Sequence, residues 1–331
     1  MKAILLSRFG GPEVLGIGEH SDPVIGRSDL LVRVRAAALN RADLLQRRGK
    51  YPPPEGVSEI LGLEIAGEVI HAGSAVPGWS RGDRVCAILP GGGYAEQAAV
   101  PAEMAIPVPQ RLSFEQAAAL PEGFLTAYWN LVFLAGIRSG ETVLVHAGGS
   151  GVGTAAVQLV RELGGRSLVT AGSAEKIARC RELGAEAGWN RREGPFAEWV
   201  LSRTAGAGVD IVMDFVGAPY FEQNLSVLGV GGRLLVIGMM GGGRPEGVDL
   251  SRILRKRLSI LGSTLRHLDA ERKKRLVRKF TSFALPRFRD GKLVPVIDSV
   301  LDWERVREAH ERMERNANTG KIVLRIGGGA G

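Results

Sequence analysis

A doubly wound α/β fold with a parallel sheet, in a chain with room for a second domain, is what three features of this sequence predict. The first is residues 142–159. A short apolar, β-branched run (Thr142, Val143, Leu144, Val145) meets a glycine break (Gly148, Gly149, Ser150, Gly151, Val152, Gly153) and then a small-residue helix. Strand, glycine turn and helix start form the opening unit of a dinucleotide-binding fold. Glycines let the backbone approach a pyrophosphate, and the helix N-terminus turns free N–H groups toward its charge. The second feature is Leu168, Val169, Thr170 and Ala171, at the distance of a second parallel strand, after which strands and helical stretches alternate. The third is length: 331 residues exceed what one core usually serves.

Taken in order, residues 1–120 read as strands and turns with few helices. Leu30, Leu31, Val32, Arg33, Val34 and Arg35 alternate as a half-buried strand, and Glu68, Val69 and Ile70 continue another. Residues 62–67 and Gly91, Gly92, Gly93 are turn or close-approach positions. Tyr51 precedes Pro52, Pro53 and Pro54, a stiff loop that is either a plain connection or the wall of a pocket. Ser113 and Gln116 form a capping box opening a helix, which Pro121 breaks and Thr126 resumes.

Further strands are expected at 209–214, 232–238 and 258–262, then a long basic helix at 269–289 leading out of the α/β domain. Strands at 294–301 and 321–326, with a helix at 304–315 between them, would rejoin the first domain, and 327–331 would be a loose tail. The predicted domains are thus 1–121 with 290–331, and 122–289.

Composition narrows the function. Hydrophobic residues at 45% and charged ones at 24% are those of a soluble globular protein. Residues 142–160 carry no charged side chain, but their glycines, polar groups and His146 make a membrane span a poor fit. Cys86 and Cys180 provide neither a disulfide framework nor a metal cluster, and the opening apolar run is too short for a signal peptide, so the cytoplasm is expected. A net charge of +8 asks for an anionic partner. The basic run Arg272, Lys273, Lys274, Arg275, Arg278 and Lys279 is better explained as a solvated helix face than as a nucleic-acid surface, given few aromatics nearby.

The end of the second strand indicates which cofactor. NAD sites place an acid there for the ribose hydroxyls, whereas this chain has Ala171, Gly172, Ser173 and Ala174, with no acid before Glu175. Lys176 follows, and Arg191 lies after the third strand. Serine and two cations suit a 2′-phosphate, hence NADPH, although Lys176 could be only a solvated helix residue.

At this point the chain resembles the medium-chain dehydrogenase/reductase superfamily, in its zinc-free quinone oxidoreductase branch, the zeta-crystallin type. The residues that carry the likeness run over nearly the whole length. They are Asn40, Arg41, Ala42, Asp43, Leu44, Leu45 and Gln46; Tyr51 with its prolines; Gly62, Leu63 and Glu64; Leu89 to Gly93; His146 to Gly153; Gly238, Met239, Met240, Gly241 and Gly242; and Gly320, Lys321, Ile322, Val323 and Leu324. The resemblance implies a Rossmann domain inserted in a mainly-β GroES-like catalytic domain, NADPH and a homodimer. Zinc-dependent members have Cys, His and Cys where this chain has Asn40, Leu63 and Glu122, so no metal is expected.

The resemblance also implies site residues. Asn40 and Tyr51 would line the acceptor site, although Asn40 could instead satisfy a turn and Tyr51 could be loop packing. Ser150, Gly151, Val152, Gly153, Gly172, Ser173, Lys176 and Arg191 would bind the cofactor's phosphates and adenosine. Thr126, Met239 and Leu265 would surround the nicotinamide end, Gly238 would also bind the cofactor, and Asn318 would close over it. Relatives often have tyrosine where Arg191 stands, and arginine can both stack on adenine and pair with phosphate. The expected activity is NADPH-dependent reduction of a quinone. An alkenal or enone reductase, and an NADPH-carrying RNA-binding protein, are the alternatives.

Overall fold

The computed structural model describes residues 1–327 and divides into two compact units, Met1–Leu125 with Arg266–Gly331, and Thr126–Leu265. The expected tail falls, beyond Gly327, outside the described residues.

In the second unit six strands form one parallel sheet in the order Ala187–Asn190, Arg166–Ala171, Thr142–Val145, Val209–Asp214, Leu228–Val236, Ser259–Gly262. The order reverses beside Thr142–Val145, and such a switch point opens a crevice at the C-terminal ends of the strands. Strands covered on both faces must be apolar throughout. Val143, Leu144, Val145, Val212 and Leu234 are fully buried, with Phe196, Val200 and Leu225 of the crossover segments packed in the same core.

In the first unit a seven-stranded sheet runs Ile297–Asp302, Lys321–Arg325, Asp29–Ala38, Glu64–Ala72, Arg84–Ile88, Ala105–Pro107, with Gln97–Pro101 also paired to Asp29–Ala38. The C-terminal strand therefore joins the N-terminal sheet, Val323 opposite Ala38. Alternation holds along Asp29–Ala38, where Leu30, Val32 and Val34 are buried and Arg33 and Arg35 exposed. Residues 64–67 are strand rather than turn. Gly67 is a close-approach position within it, because a Cβ there would lie 2.0 Å from the Arg33 carbonyl oxygen.

Two expectations change. The helix Ala270–Arg289 belongs to the first unit, which moves the second boundary from 289 to 265. Its buried stripe of Leu276, Val277, Phe280 and Phe288 is the reason, with Phe124 packed 5.0 Å from the Phe288 ring and 6.3 Å from that of Phe280. Pro121 does not break a helix but opens one, Pro121–Tyr128, since the first helical position needs no N–H. The helix then widens into a π turn over Trp129–Leu134. The capping box at Ser113 and Gln116 is present.

Candidate active site

The C-terminal edge of the parallel sheet carries the glycine turn. Ala147 adopts φ 48°, and the helix Gly151–Glu162 starts directly over it. A Cβ on Gly153 would lie 2.4 Å from the Ala147 carbonyl oxygen, and one on Gly148 would lie 2.9 Å from Val169 Cβ, so only hydrogen fits at either place. The Ser150 hydroxyl accepts the N–H of Gly153 at 3.0 Å. Gly151 and Val152 belong to the first helical turn, which leaves its N–H groups without internal partners.

Two cations stand against this edge. The stem of Lys176 covers Gly149, where a Cβ would meet its Cδ at 3.0 Å, and Arg191 Nε lies 3.4 Å from the Cβ position of Gly172. Ser173 caps the helix Ala174–Glu182, accepting from the N–H of Lys176. A competing acid is also present, because the Ser173 hydroxyl holds the Glu175 carboxyl below the usual carboxylate range. Missing Cβ atoms, first-turn N–H groups, a serine and two cations together fit a dinucleotide's phosphates.

The neighbouring strand ends complete the edge. Gly217 adopts φ 86° with its Cβ position 3.2 Å from Met239 Cα, and Gly238 closes on the Phe215 carbonyl at 3.2 Å. Met239 is 62% exposed and so open to a ligand, whereas Thr126 and Leu265 are buried. Behind the turn runs a buried polar chain that sequence reasoning missed. His146 Nε2 lies 2.7 Å from Asn224 Oδ1, and Asn224 Nδ2 donates to Asp214 Oδ2 at 3.1 Å. The other Asp214 oxygen accepts from the N–H groups of Val216 and Gly217. Since Asn224 Oδ1 must accept, Nε2 carries the proton and Nδ1 accepts from the Thr170 hydroxyl at 2.9 Å. Burial pushes His146 down to about 4, so it is neutral.

In the first unit Asn40 precedes the helix Arg41–Arg47 and is itself buried. Its amide donates to Glu64 Oε1 at 3.0 Å and to the Ala38 carbonyl at 3.3 Å, while its oxygen accepts from Lys321 Nζ at 2.7 Å. Both amide hydrogens are therefore engaged, and Asn40 is a support for Lys321 and Glu64 rather than a free donor. The Lys321 ammonium is also paired with Glu64, and both are buried. Asn318 donates to the Gly320 carbonyl at 2.7 Å.

Tyr51 is held from behind. Arg266, buried, donates to the carbonyls of Pro90 (2.8 Å) and Tyr51 (3.4 Å) and to Gln46 Oε1 (2.9 Å), with its guanidinium carbon 5.2 Å over the Tyr51 ring. The Tyr51 hydroxyl lies 3.3 Å from His267 Nδ1. Neither Arg266 nor His267 is legible as a site residue, because both lie more than two hundred residues from Tyr51 and in no motif. The basic helix face is met by acids, Lys274 with Glu103 and Glu271, and Arg272 with Asp269. Among the described residues no group of three or more His, Cys, Asp or Glu is arranged to hold a metal ion, and no helix is long and apolar enough to cross a membrane.

Glu122 is a further residue the sequence did not single out in this role. Its backbone N–H donates to Glu64 Oε2 at 2.7 Å, and burial together with the Glu64 carboxylate lifts its own carboxyl to about 8. A carboxyl raised on folding contributes stability below its ordinary value of 4.5 and loses it as pH rises through about 8. Glu122→Gln should therefore match the parent in thermal unfolding near pH 5 and exceed it near pH 9, by about 2–4 °C for each kcal/mol relieved. Parallel loss of Tm in both proteins would contradict this placement of the carboxyl.

Comparison with known proteins agrees with this geometry. Residues 26–110 match the alcohol dehydrogenase GroES-like domain and residues 151–282 the zinc-binding dehydrogenase domain. The human quinone oxidoreductase is 31% identical over 327 residues, 98% of this chain and 97% of that one. A quinone oxidoreductase-like protein 2 homolog of Nematostella vectensis is 31% identical over 325 residues, 98% of this chain and 88% of its own. Among solved structures, an NAD-dependent alcohol dehydrogenase aligns with TM-score 0.87 at 35% identity, covering 99% of this chain and 100% of that one. The CurK enoyl reductase (TM-score 0.87, 29%) and a mycobacterial protein complexed with NADPH (0.87, 30%) each cover 98% of this chain and 99% of their own. Likeness over nearly the full length of both chains, on top of a glycine turn built for a dinucleotide, leads to one conclusion: this chain belongs to the quinone oxidoreductase branch of the medium-chain dehydrogenase/reductase superfamily and is a nicotinamide-dependent oxidoreductase.

Proposed function

We propose that this oxidoreductase passes hydride from NADPH to a quinone or a similarly electron-poor acceptor. The observation that carries the acceptor class is the Lys321 ammonium lying between Asn40 and Glu64. Zinc-dependent relatives place a metal ligand where Asn40 stands. A fixed ammonium beside Asn40 and Glu64 opposes a divalent cation there, which favours an acceptor that needs no Lewis acid. When bound, the reduced nicotinamide supplies the hydride and with it both electrons.

The chain's own residues bind and orient. The N–H groups of Gly151 and Val152 take the pyrophosphate. Ser173, Lys176 and Arg191 take the 2′-phosphate. Thr126, Gly238, Met239 and Leu265 flank the nicotinamide end. Tyr51, its ring fixed by Arg266, donates to the oxygen on which charge develops. Each charge-assisted bond to the 2′-phosphate is worth about 1.5–3 kcal/mol, so two favour NADPH by roughly a hundredfold or more. The complex of one similar protein with NADPH supports this, while the NAD-dependent name of another makes both cofactors necessary in the test. An exposed sheet edge at Ser259–Gly262, with Ile260 40% exposed, suits a homodimer, and two buried free cysteines suit a reducing cytoplasm.

Likeness to an enoyl reductase supports a second reading, reduction of an activated alkene. Oxidation of NADPH, with EDTA present, should be measured against ortho- and para-quinones, enals and simple ketones. Quinones should be fastest and ketones inert; a preference for enals would transfer the assignment to the alkene reductases, and EDTA-sensitive ketone reduction would overturn both. Lys176→Ala should raise the NADPH KM steeply and leave that for NADH nearly unchanged. Equal losses for the two cofactors would remove the phosphate role.

A further inference from the structure

The acceptor side of this chemistry has a proton to account for. An acceptor that takes hydride gains two electrons and is left with an oxyanion, which needs one proton to become neutral. Tyr51 can give that proton. Burial, reinforced by the Glu122 carboxyl and opposed by the Arg266 guanidinium, raises its hydroxyl above the ordinary phenol value, so the proton is present to be given. Having given it, the phenolate must recover one before the next turnover, on a loop stiffened by three prolines and pinned by a buried arginine.

His267 is placed for that task. Its Nδ1 lies 3.3 Å from the Tyr51 hydroxyl, and the rings meet edge to face, with centroids 5.4 Å apart and planes at 83°. The contact is built rather than incidental. The preceding residue is Arg266, whose guanidinium is tied to Pro90, Tyr51 and Gln46, while its carbonyl accepts from Lys273 Nζ at 2.7 Å. Backbone and side chain are thus both fixed immediately before the imidazole. Tyr51 is half-buried and His267 exposed, so one end of the pair can face a ligand while the other stays in contact with water.

We propose that Tyr51 and His267 form a proton-delivery pair, Tyr51 protonating the reduced acceptor and His267 returning the proton from solvent. The proposal rests on Tyr51 as the acceptor-side donor. In the step, the Tyr51 O–H bond breaks as an O–H bond forms on the acceptor oxygen. The Nδ1–H of imidazolium then breaks to restore the phenol, and bulk water recharges the neutral imidazole. The net consumption is one hydride and one solvent proton per acceptor. Arg266 is a positioning residue that keeps the two rings in register.

The test compares the parent, His267→Ala, His267→Gln and Tyr51→Phe, using the fastest acceptor of the panel, with and without added imidazole. His267→Ala should lose kcat by about 100-fold with KM little changed, and free imidazole should restore a good part of it. Imidazole should do nothing for Tyr51→Phe, whose phenol is gone, and His267→Gln should stay as slow as the alanine variant. Unchanged kcat in His267→Ala, or a loss that glutamine repairs and imidazole does not, would overturn the relay and leave the proposed activity standing. A parent that reduces no member of the panel would overturn both together. As a check independent of turnover, ultraviolet titration against Tyr51→Phe should show the Tyr51 ionisation displaced in His267→Ala. An unmoved titration would show that the two side chains do not pair in solution.

Discussion

A buried ammonium among carboxylates sets the conditions for the whole first unit. Glu64 is fully buried, and it accepts from Asn40, from the backbone of Glu122 and from Lys321. Each partner comes from a different place: the residue before one helix, the first turn of another, and the first residue of the C-terminal strand. Taking two charges out of water is costly, and removing one partner of such a pair leaves the other uncompensated at about 3–5 kcal/mol. The cluster therefore fixes how these elements meet. Burial together with the Glu64 carboxylate holds the neighbouring Glu122 carboxyl protonated, and burial alone lifts Asp43 to about 6 against three N–H or O–H donors and the Lys321 ammonium.

The second unit meets a similar demand through hydrogen bonds rather than an ion pair. Behind its glycine turn, a hydrogen-bonded chain runs from Thr170 through the neutral His146 and Asn224 to Asp214, whose two oxygens accept from Asn224 and from two backbone N–H groups. A fully satisfied buried network rigidifies what it touches. Here it touches three adjacent parallel strands, so the turn that meets the phosphates and the loop at Gly217 are held by one set of bonds. The rigid side of the glycine turn is thus the protein's own interior, while Ser173, Lys176 and Arg191, to which the proposed 2′-phosphate contacts fall, stand outside that network.

Much of this was legible in the sequence because it is local. The strand at 142–145, its glycines and the helix at 151 are adjacent in the chain, and close approach is written in the absence of side chains. The capping box at Ser113 and the return of the C-terminal strand to the first sheet were also recoverable from pattern. What was not legible depends on distance along the chain. Asn40 has the residue type of an oxyanion donor, but only its contacts with Ala38, Glu64 and Lys321 show that its hydrogens are spent. Glu122 looks like an ordinary first-turn acid until Glu64 is seen beside it. The membership of the helix Ala270–Arg289 in the first unit is hidden in the sequence because its charge, rather than its buried phenylalanines, dominates its composition. Pro121 is ambiguous in the sequence for a simpler reason: proline ends helices in their interiors and begins them at the first position.

The pairing of Val323 with Ala38 has a consequence for how the molecule is born. A ribosome delivers the chain from its beginning at about 5–20 residues per second, and segments fold as they become complete. The Thr126–Leu265 unit is continuous, so all its strands are in hand while residues from Arg266 onward are still being translated. The flanking unit has to wait. Until Lys321 emerges, Glu64 and Asn40 have no ammonium to gather around, and the Ala36–Ala38 end of the strand Asp29–Ala38 has an open edge that another chain could occupy. Lys321 thus reaches Glu64 and Asn40 only after the whole of the second unit has been made.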